Sequence, residues 1–144
     1  MLAETLDKVR LRWLDDGCEP VLPLAETRLK EMLAQLKVHP TAELLDVFSI
    51  LNGFVDDRMD GECFVFWSID KMLTESSRYY INDATFVHFA DFLIDSHTYA
   101  FKQNETDFVS VHCHYSNNYV VKLADSFEEF FEYYLTDTVR LFPN

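Results

Sequence analysis

ILNGFVDDRMDGECFVFW, residues 50–67, contains the point at which the hydrophobic pattern of the chain changes. Up to Asn52-Gly53, apolar residues recur with helical spacing, and an Asn-Gly pair is typical of the end of a helix. From Cys63 onward, CFVFWSI (63–69) is a short apolar run of the kind that forms a buried strand. The polar residues between them therefore predict a turn that joins a helical part to a strand-rich part.

Three helices are predicted before this turn. The first carries its apolar face at Leu2, Leu6, Val9 and Trp13 and ends near Gly17. The second lies within LAETRLKEMLAQLKV (24–38). The third lies within HPTAELLDVFSILNG (39–53), where Pro40 suits a first helical turn.

Short strand-like runs follow the turn: TFVHFA (85–90), HTYAFK (97–102), DFVSVHCH (107–114) and NYVVKLA (118–124). The turns IDS (94–96), QNET (103–106) and YSN (115–117) are short enough for antiparallel pairing. KMLTESSRYY (71–80) predicts a helical connection or a loop. DSFEEFFEYYL (125–135) predicts a final helix that opens with a capping box of Ser126 and Glu129.

This order of elements predicts an α+β domain, with an antiparallel sheet of about four to six strands packed against the N-terminal helices and the C-terminal helix. The chain has 144 residues, 49% of them hydrophobic, which suits one domain with a sizeable core. A single domain over residues 1–144 is expected.

The charge is strongly negative, since the chain has 25 acidic and 12 basic residues and a formal net charge of −13. Such a field repels nucleic acid and anionic membranes, which are bound through Lys and Arg. It attracts basic protein surfaces. The alternative is that the charge only keeps the protein soluble.

Three cysteines, Cys18, Cys63 and Cys113, form no disulfide framework and suit a reducing compartment. MLAETLDKVRLRW at the N-terminus lacks the features of a signal peptide, and no run approaches 18 apolar residues. A cytoplasmic location is expected.

The segment DDRMDGE (56–62) concentrates acidic residues around Gly61. An EF-hand loop starting at Asp56 would need ligands at its third and twelfth positions, where this chain has Arg58 and Trp67. Calcium binding of that type is therefore not expected. The cluster is either a solvated polar turn or a surface that a basic partner contacts.

His112 and His114 are the residues most suggestive of metal chemistry, because on a strand they project from one face. His88 and His97 on neighbouring strands could complete a zinc site, whereas the alternative is a set of partly exposed sheet residues. No CxxC or HExxH spacing accompanies them, so no metal or cofactor is expected. Cys113 faces away from both histidines, which predicts packing rather than nucleophilic catalysis.

Four features in order resemble the SUKH superfamily, the Smi/Knr-like proteins. They are His39-Pro40 with the helix ending at Asn52-Gly53, the strand CFVFWSI with Trp67, the strand pair FVHFADFLIDSHTYAF (86–101), and the helix LADSFEEFFEYYL (123–135). The similarity runs from about residue 24 to residue 137. The chain departs from the family at His39, where leucine is common, and at Phe92 and Leu93, where glycine is common.

The resemblance implies a non-enzymatic binding module, often an immunity protein that neutralises a toxin, in many cases a nuclease, by direct contact. The alternatives are a regulatory scaffold of the same fold without a toxin, and a small metal-dependent enzyme. The expected partner is a basic toxin domain, with no nucleic acid and no membrane bound. The expected partner-binding residues are Asp56, Asp57, Asp60 and Glu62, then Glu128 and Glu132 on the last helix, with Phe54 and Tyr115 as aromatic anchors unless they pack in the core or a turn.

Overall fold

The structure, a computed structural model, describes residues 2–75, 78–81, 84–94, 96–115, 117 and 119–142, with the backbone alone for 78–81 and 84. The helices are α1 (Leu2–Asp15), α2 (Glu26–Gln35), α3 (Ala42–Ile50), α4 (Ile69–Thr74) and α5 (Phe127–Thr136), followed by a 3-10 helix (Thr138–Leu141). The strands are β1 (Phe64–Phe66), β2 (Arg78–Ile81), β3 (Ala84–Phe92), β4 (His97–Gln103), β5 (Val109–Tyr115) and β6 (Val120–Ala124). The predicted α+β architecture is confirmed.

All described strand pairs are antiparallel, and the strands follow the order β1-β3-β4-β5-β6. β2 also pairs with β3, along its first half, while β1 pairs with its last three residues. One row of paired residues, Phe64, Phe92, His97 and Tyr115, crosses four strands at one end of the sheet. This row places the end of the 56–62 segment beside the β3–β4 turn.

The main core lies between one face of the sheet and the helices. α5 supplies the predicted inner face, since Phe127, Phe130, Phe131 and Tyr134 are all buried. They pack on a set of aromatic side chains from the sheet and α3, among them Phe48, Phe66, Phe89 and Phe101. Large aromatic rings bury more apolar area per residue than smaller side chains do, which suits a core with this much phenylalanine.

The connection from α3 to β1 passes through a close backbone contact at Gly53. Its φ of 72° lies in the left-handed region, and a Cβ there would stand 2.2 Å from the carbonyl carbon of Trp67. Phe54 then donates its backbone N–H to the carbonyl oxygen of Phe66 at 2.8 Å. The Asn-Gly pair therefore ends the helix. The glycine also allows the chain to pass in close contact with the backbone at the end of β1.

Some local predictions were wrong in detail. Pro40 precedes α3, whose N-cap is Thr41, and CFVFWSI forms a strand only over Phe64–Phe66 before α4 begins. Within 71–80, the expected helical connection ends at Thr74 and a strand, β2, was missed; residues 76 and 77 lie outside the described part of the chain. Residues 95 and 116 of the predicted turns IDS and YSN also lie outside it.

Candidate functional site

The segment 55–63 is held against the C-terminal end of α1. Gly61 donates its backbone N–H to Asp16 Oδ2 at 2.9 Å, and the Arg12 guanidinium pairs with Glu62 at 3.1 Å. Farther along, the N–H of Val55 bonds to the carbonyl of Glu19 at 2.8 Å. The segment, called the acidic loop below, therefore has contacts with α1 and with the chain that follows it.

Asp60 is the buried anchor of the acidic loop, so the prediction that it contacts a partner is wrong. Its side chain is 6% exposed, and its Oδ1 accepts the N–H groups of Glu62 and Phe64 at 2.9 Å each. The hydroxyl of Tyr134 on α5 donates to its Oδ2. Burial raises the pKa of this carboxyl, while the bonds from Tyr134 and the two amides act in the opposite direction. The residue acts by fixing the loop, not by facing solvent.

Two of the other predicted acids do face solvent. The Asp57 side chain is 86% exposed and pairs with Lys71 Nζ at 2.9 Å. Asp56 is exposed, and its Oδ1 accepts the N–H of Arg58 at 3.0 Å, which closes the turn locally. Glu62 is partly exposed: its side chain, beside Arg12, is 36% accessible to solvent.

The fold adds carboxylates that the sequence analysis did not assign to this site. Asp16 and Glu19 follow the end of α1, more than 35 residues before the acidic loop, and only tertiary contacts bring them there. Acidic side chains are unfavourable at the negative end of a helix dipole. Bonds from Arg12 and from the Gly61 amide offset that cost at Asp16.

We call the combined set the acidic surface: Asp16, Glu19, Asp56, Asp57 and Glu62. Cations at its border, Arg12, Arg58 and Lys71, neutralise part of it. Beneath it, the pKa of the buried Cys18 thiol is raised to about 11, first by burial and then by the charges of Asp60 and Asp16. The acidic surface thus keeps a local excess of negative charge.

Phe54 is not an anchor for a partner. It is 5% exposed and meets Trp13 edge-to-face, with ring centroids 4.8 Å apart. The core alternative is the correct one, because Phe54 belongs to the buried hydrophobic cluster.

Tyr115 is half-buried at the end of β5, where its ring packs on His97 and on the exposed ring of Tyr119. It belongs to the row of paired residues that ends at Phe64, three strand spacings away, or roughly 14 Å. Tyr115 therefore lies at the same end of the sheet as the acidic loop without touching it.

Glu128 lies near the start of α5, away from the point where that helix meets the acidic loop. Burial raises the pKa of Glu43, and the charge of half-buried Glu128 raises it further. Glu43 accepts the N–H of Phe127 at 2.9 Å, so this end of α5 faces the start of α3. Glu132 is exposed. The acidic loop meets α5 at Tyr134, about 9 Å along the helix from Glu128, so Glu128 does not join the acidic surface.

The histidines face the side of the sheet that lies opposite the main core. His88 Nε2 and His114 Nδ1 are 3.1 Å apart, and His112 Nε2 lies 2.8 Å from Ser110 Oγ. All three rings are at most 6% exposed, so the expectation of partly exposed sheet residues is wrong. Burial lowers the pKa of His88 to about 3 and the pKa of His112 and of His114 to about 4, which keeps them neutral at pH 7.

The proposed fourth zinc ligand is not in the same place. His97 stacks on Phe92 and lies 3.1 Å from the hydroxyl of core residue Tyr99, on the other face of the sheet. Within the described residues, no group of three or more His, Cys, Asp or Glu side chains is arranged to hold a metal ion. His88 and His114 instead interact with each other.

Cys113 is fully buried on the face that carries Tyr99, away from the histidines. Burial raises the pKa of its thiol to about 12, so the thiolate needed for nucleophilic attack is not formed at neutral pH. The sequence prediction of a packing role agrees with this position.

Comparison with models of known protein families and with curated proteins finds no match to this chain. Among the described residues, no helix is both long and apolar enough to span a bilayer.

Proposed function

We propose that this chain is a cytoplasmic, non-enzymatic binding module of the SUKH type that neutralises a basic toxin domain by docking through its acidic surface. The observation that carries the proposal is the acidic surface itself. It brings carboxylates that follow α1 together with those of the acidic loop, and buried Asp60 and Tyr134 hold that loop in place.

Rigid placement favours binding, because a loop already fixed in its bound shape loses less conformational entropy on association. A nuclease active cleft is basic, since it must hold phosphates, and a fixed array of carboxylates can occupy it as a phosphate mimic. The excess charge also steers the partner and raises the association rate, by 10 to about 1000-fold at low salt.

The residues that first suggested enzyme chemistry serve packing in this arrangement. His88 and His114 bond to each other, and Cys113 has a strongly raised pKa in the core. These observations support packing roles for Cys113 and His114.

The proposal is tested by the growth of cells that express any toxin domain found to be encoded next to this gene. Co-expression of the natural chain should restore growth, and purified chain should form a one-to-one complex with an inactive form of the domain. The double variant Asp56→Asn/Asp57→Asn should protect poorly. The control, Glu26→Gln/Glu31→Gln on the exposed face of α2, removes the same charge elsewhere and should protect fully. Killing by every neighbouring toxin despite the natural chain would refute the proposal.

A further inference from the structure

Leu93 and Ile94, which follow β3, have backbone conformations that are unfavourable for aliphatic residues. Leu93 and Ile94 have φ values of 47° and 54°, in the left-handed region that glycine and asparagine adopt readily. Ile94 is also β-branched, which makes this conformation more costly. Asparagine or glycine at these two positions would relieve the strain.

The two aliphatic side chains contribute little to the core in return. Ile94 is 81% exposed and Leu93 is 46% exposed. Isolated exposed aliphatic residues are common on protein surfaces and need no explanation. Two adjacent ones in strained conformations are unusual, and strained residues concentrate at functional sites.

The position of the Leu93–Ile94 turn connects it with the acidic surface. Leu93 donates its N–H to the carbonyl of Cys63 in the acidic loop at 3.0 Å. Ile94 and Asp57 line the same cleft of about 110 Å³, together with Val65, Lys71 and Asp91. An exposed aliphatic side chain therefore stands beside an exposed carboxylate of the candidate site.

Lys71 shows how a cation is held at the border of this cleft. Its Nζ pairs with Asp57 at 2.9 Å and lies 5.0 Å from the ring centroid of Trp67. Because Asp57 is almost fully exposed, its second carboxylate oxygen remains accessible to another cation. A lysine or arginine from a partner can therefore approach Asp57 while Ile94 contacts apolar surface next to it.

We propose that the Leu93–Ile94 turn is the apolar anchor of the docking surface, and that it inserts into an apolar depression on a basic protein partner while a partner lysine or arginine pairs with Asp57. The proposal rests on the proposed function, and it identifies the contact that slows dissociation of that complex. Charge selects the class of occupant, since a chain with net charge −13 attracts a cationic surface and repels a second copy of itself. In this arrangement the carboxylates set the association rate and Ile94 sets the dissociation rate.

The variant Ile94→Asn tests the anchor, because it removes the aliphatic side chain and suits the left-handed backbone. A second variant, Leu93→Asn/Ile94→Gly, replaces the turn with a favourable one. The control is Phe108→Asn, which removes an exposed apolar side chain at the opposite end of β4, about 20 Å away. The probe is an inactive form of the adjacently encoded toxin domain, with binding kinetics and the melting temperature measured on each purified chain.

Both turn variants should raise Kd at least about tenfold, chiefly through faster dissociation, while the melting temperature stays equal or rises by a few degrees. Phe108→Asn should leave Kd within about twofold of the natural chain. Unchanged dissociation from the turn variants would overturn the anchor and leave the proposed function standing. A lower melting temperature in both turn variants would show that the turn serves stability and would also overturn it.

Two further outcomes separate the alternatives. Failure of the natural chain to bind the probe would overturn the proposed function and the anchor together. Self-association of the natural chain in sedimentation, abolished by Ile94→Asn, would assign the turn to a contact between two copies and overturn the basic-partner assignment.

Discussion

At the scale of single residues, buried Asp60 holds the acidic loop in place although it is not itself part of the acidic surface. Its carboxylate accepts two backbone amides and the Tyr134 hydroxyl, so the exposed acids on either side of it are held in fixed positions. A buried carboxylate with these bonds is tolerated, whereas the same group without one of its donors carries a desolvation cost.

Tyr134→Phe should therefore destabilise the protein by about 1–3 kcal/mol, because Asp60 Oδ2 loses its donor while it stays buried. Urea unfolding at pH 7 measures the change. Tyr133→Phe is the matched control, since its hydroxyl bonds to exposed Arg140 at 3.3 Å, and its effect should stay within about 0.5 kcal/mol. Equal stability of the two variants would contradict the anchoring role of Asp60.

At the scale of secondary-structure elements, the sheet carries polar groups on the face opposite the main core. β3 and β5 place the His88–His114 pair there, and the ring of Phe86 packs edge-on against His112 and His114. Alternation along each strand explains why Cys113, between two histidines, belongs to the other face. These histidines are neutral in the folded protein, so the stability of the protein should depend on pH in the acid range.

The free energy of unfolding should fall as the pH drops from about 6.5 towards 4. The folded-state pKa values of His88, His112 and His114, at about 3 to 4, lie below the value of about 6.5 in the unfolded chain. In that window the unfolded chain binds protons that the folded chain excludes, so stability is fully present above it and is lost below it, by at most about 1.4 kcal/mol per pH unit for each histidine.

Urea unfolding between pH 7 and pH 5 measures this slope. His112→Gln keeps a hydrogen-bonding group near Ser110 but cannot titrate, so its slope should be smaller. His39→Gln, at an exposed position, is the control and should leave the slope unchanged. Asp60 and Glu43 act in the opposite direction as the pH approaches their raised pKa values. A pH-independent stability over this range would show that the histidines become protonated without cost.

At the scale of the whole molecule, the net charge of −13 should control how fast the proposed complex forms. Association of the natural chain with the inactive toxin domain should slow at least about tenfold between low and high salt, with little change in dissociation, because salt screens long-range attraction. Stopped-flow mixing measures the rate. Asp56→Asn/Asp57→Asn should slow association at low salt more than Glu26→Gln/Glu31→Gln does, although both remove two charges. Equal slowing by both would mean that total charge, and not the acidic surface, guides the encounter.

The sequence by itself determined the fold class, because hydrophobic periodicity, the Asn52-Gly53 stop and the Ser126 cap are local signals that the chain obeys. The capping box is present with one change, since Glu129 accepts the N–H of Asp125 while Ser126 accepts that of Glu129. The sequence also predicted a polar turn at Asp56 and Asp57. Their side chains are exposed there because a charged group is unfavourable away from water.

Only the tertiary structure decided which acids share a surface and which are buried. Asp60 lies four residues from Asp56, yet Tyr134 and two amides make it an interior group, and Asp16 joins the loop through an amide 45 residues away. The strained aliphatic turn became visible only when the backbone angles of Leu93 and Ile94 were known. Exposure and pairing depend on contacts between segments distant in the chain, and the pattern of residues within one segment does not encode them.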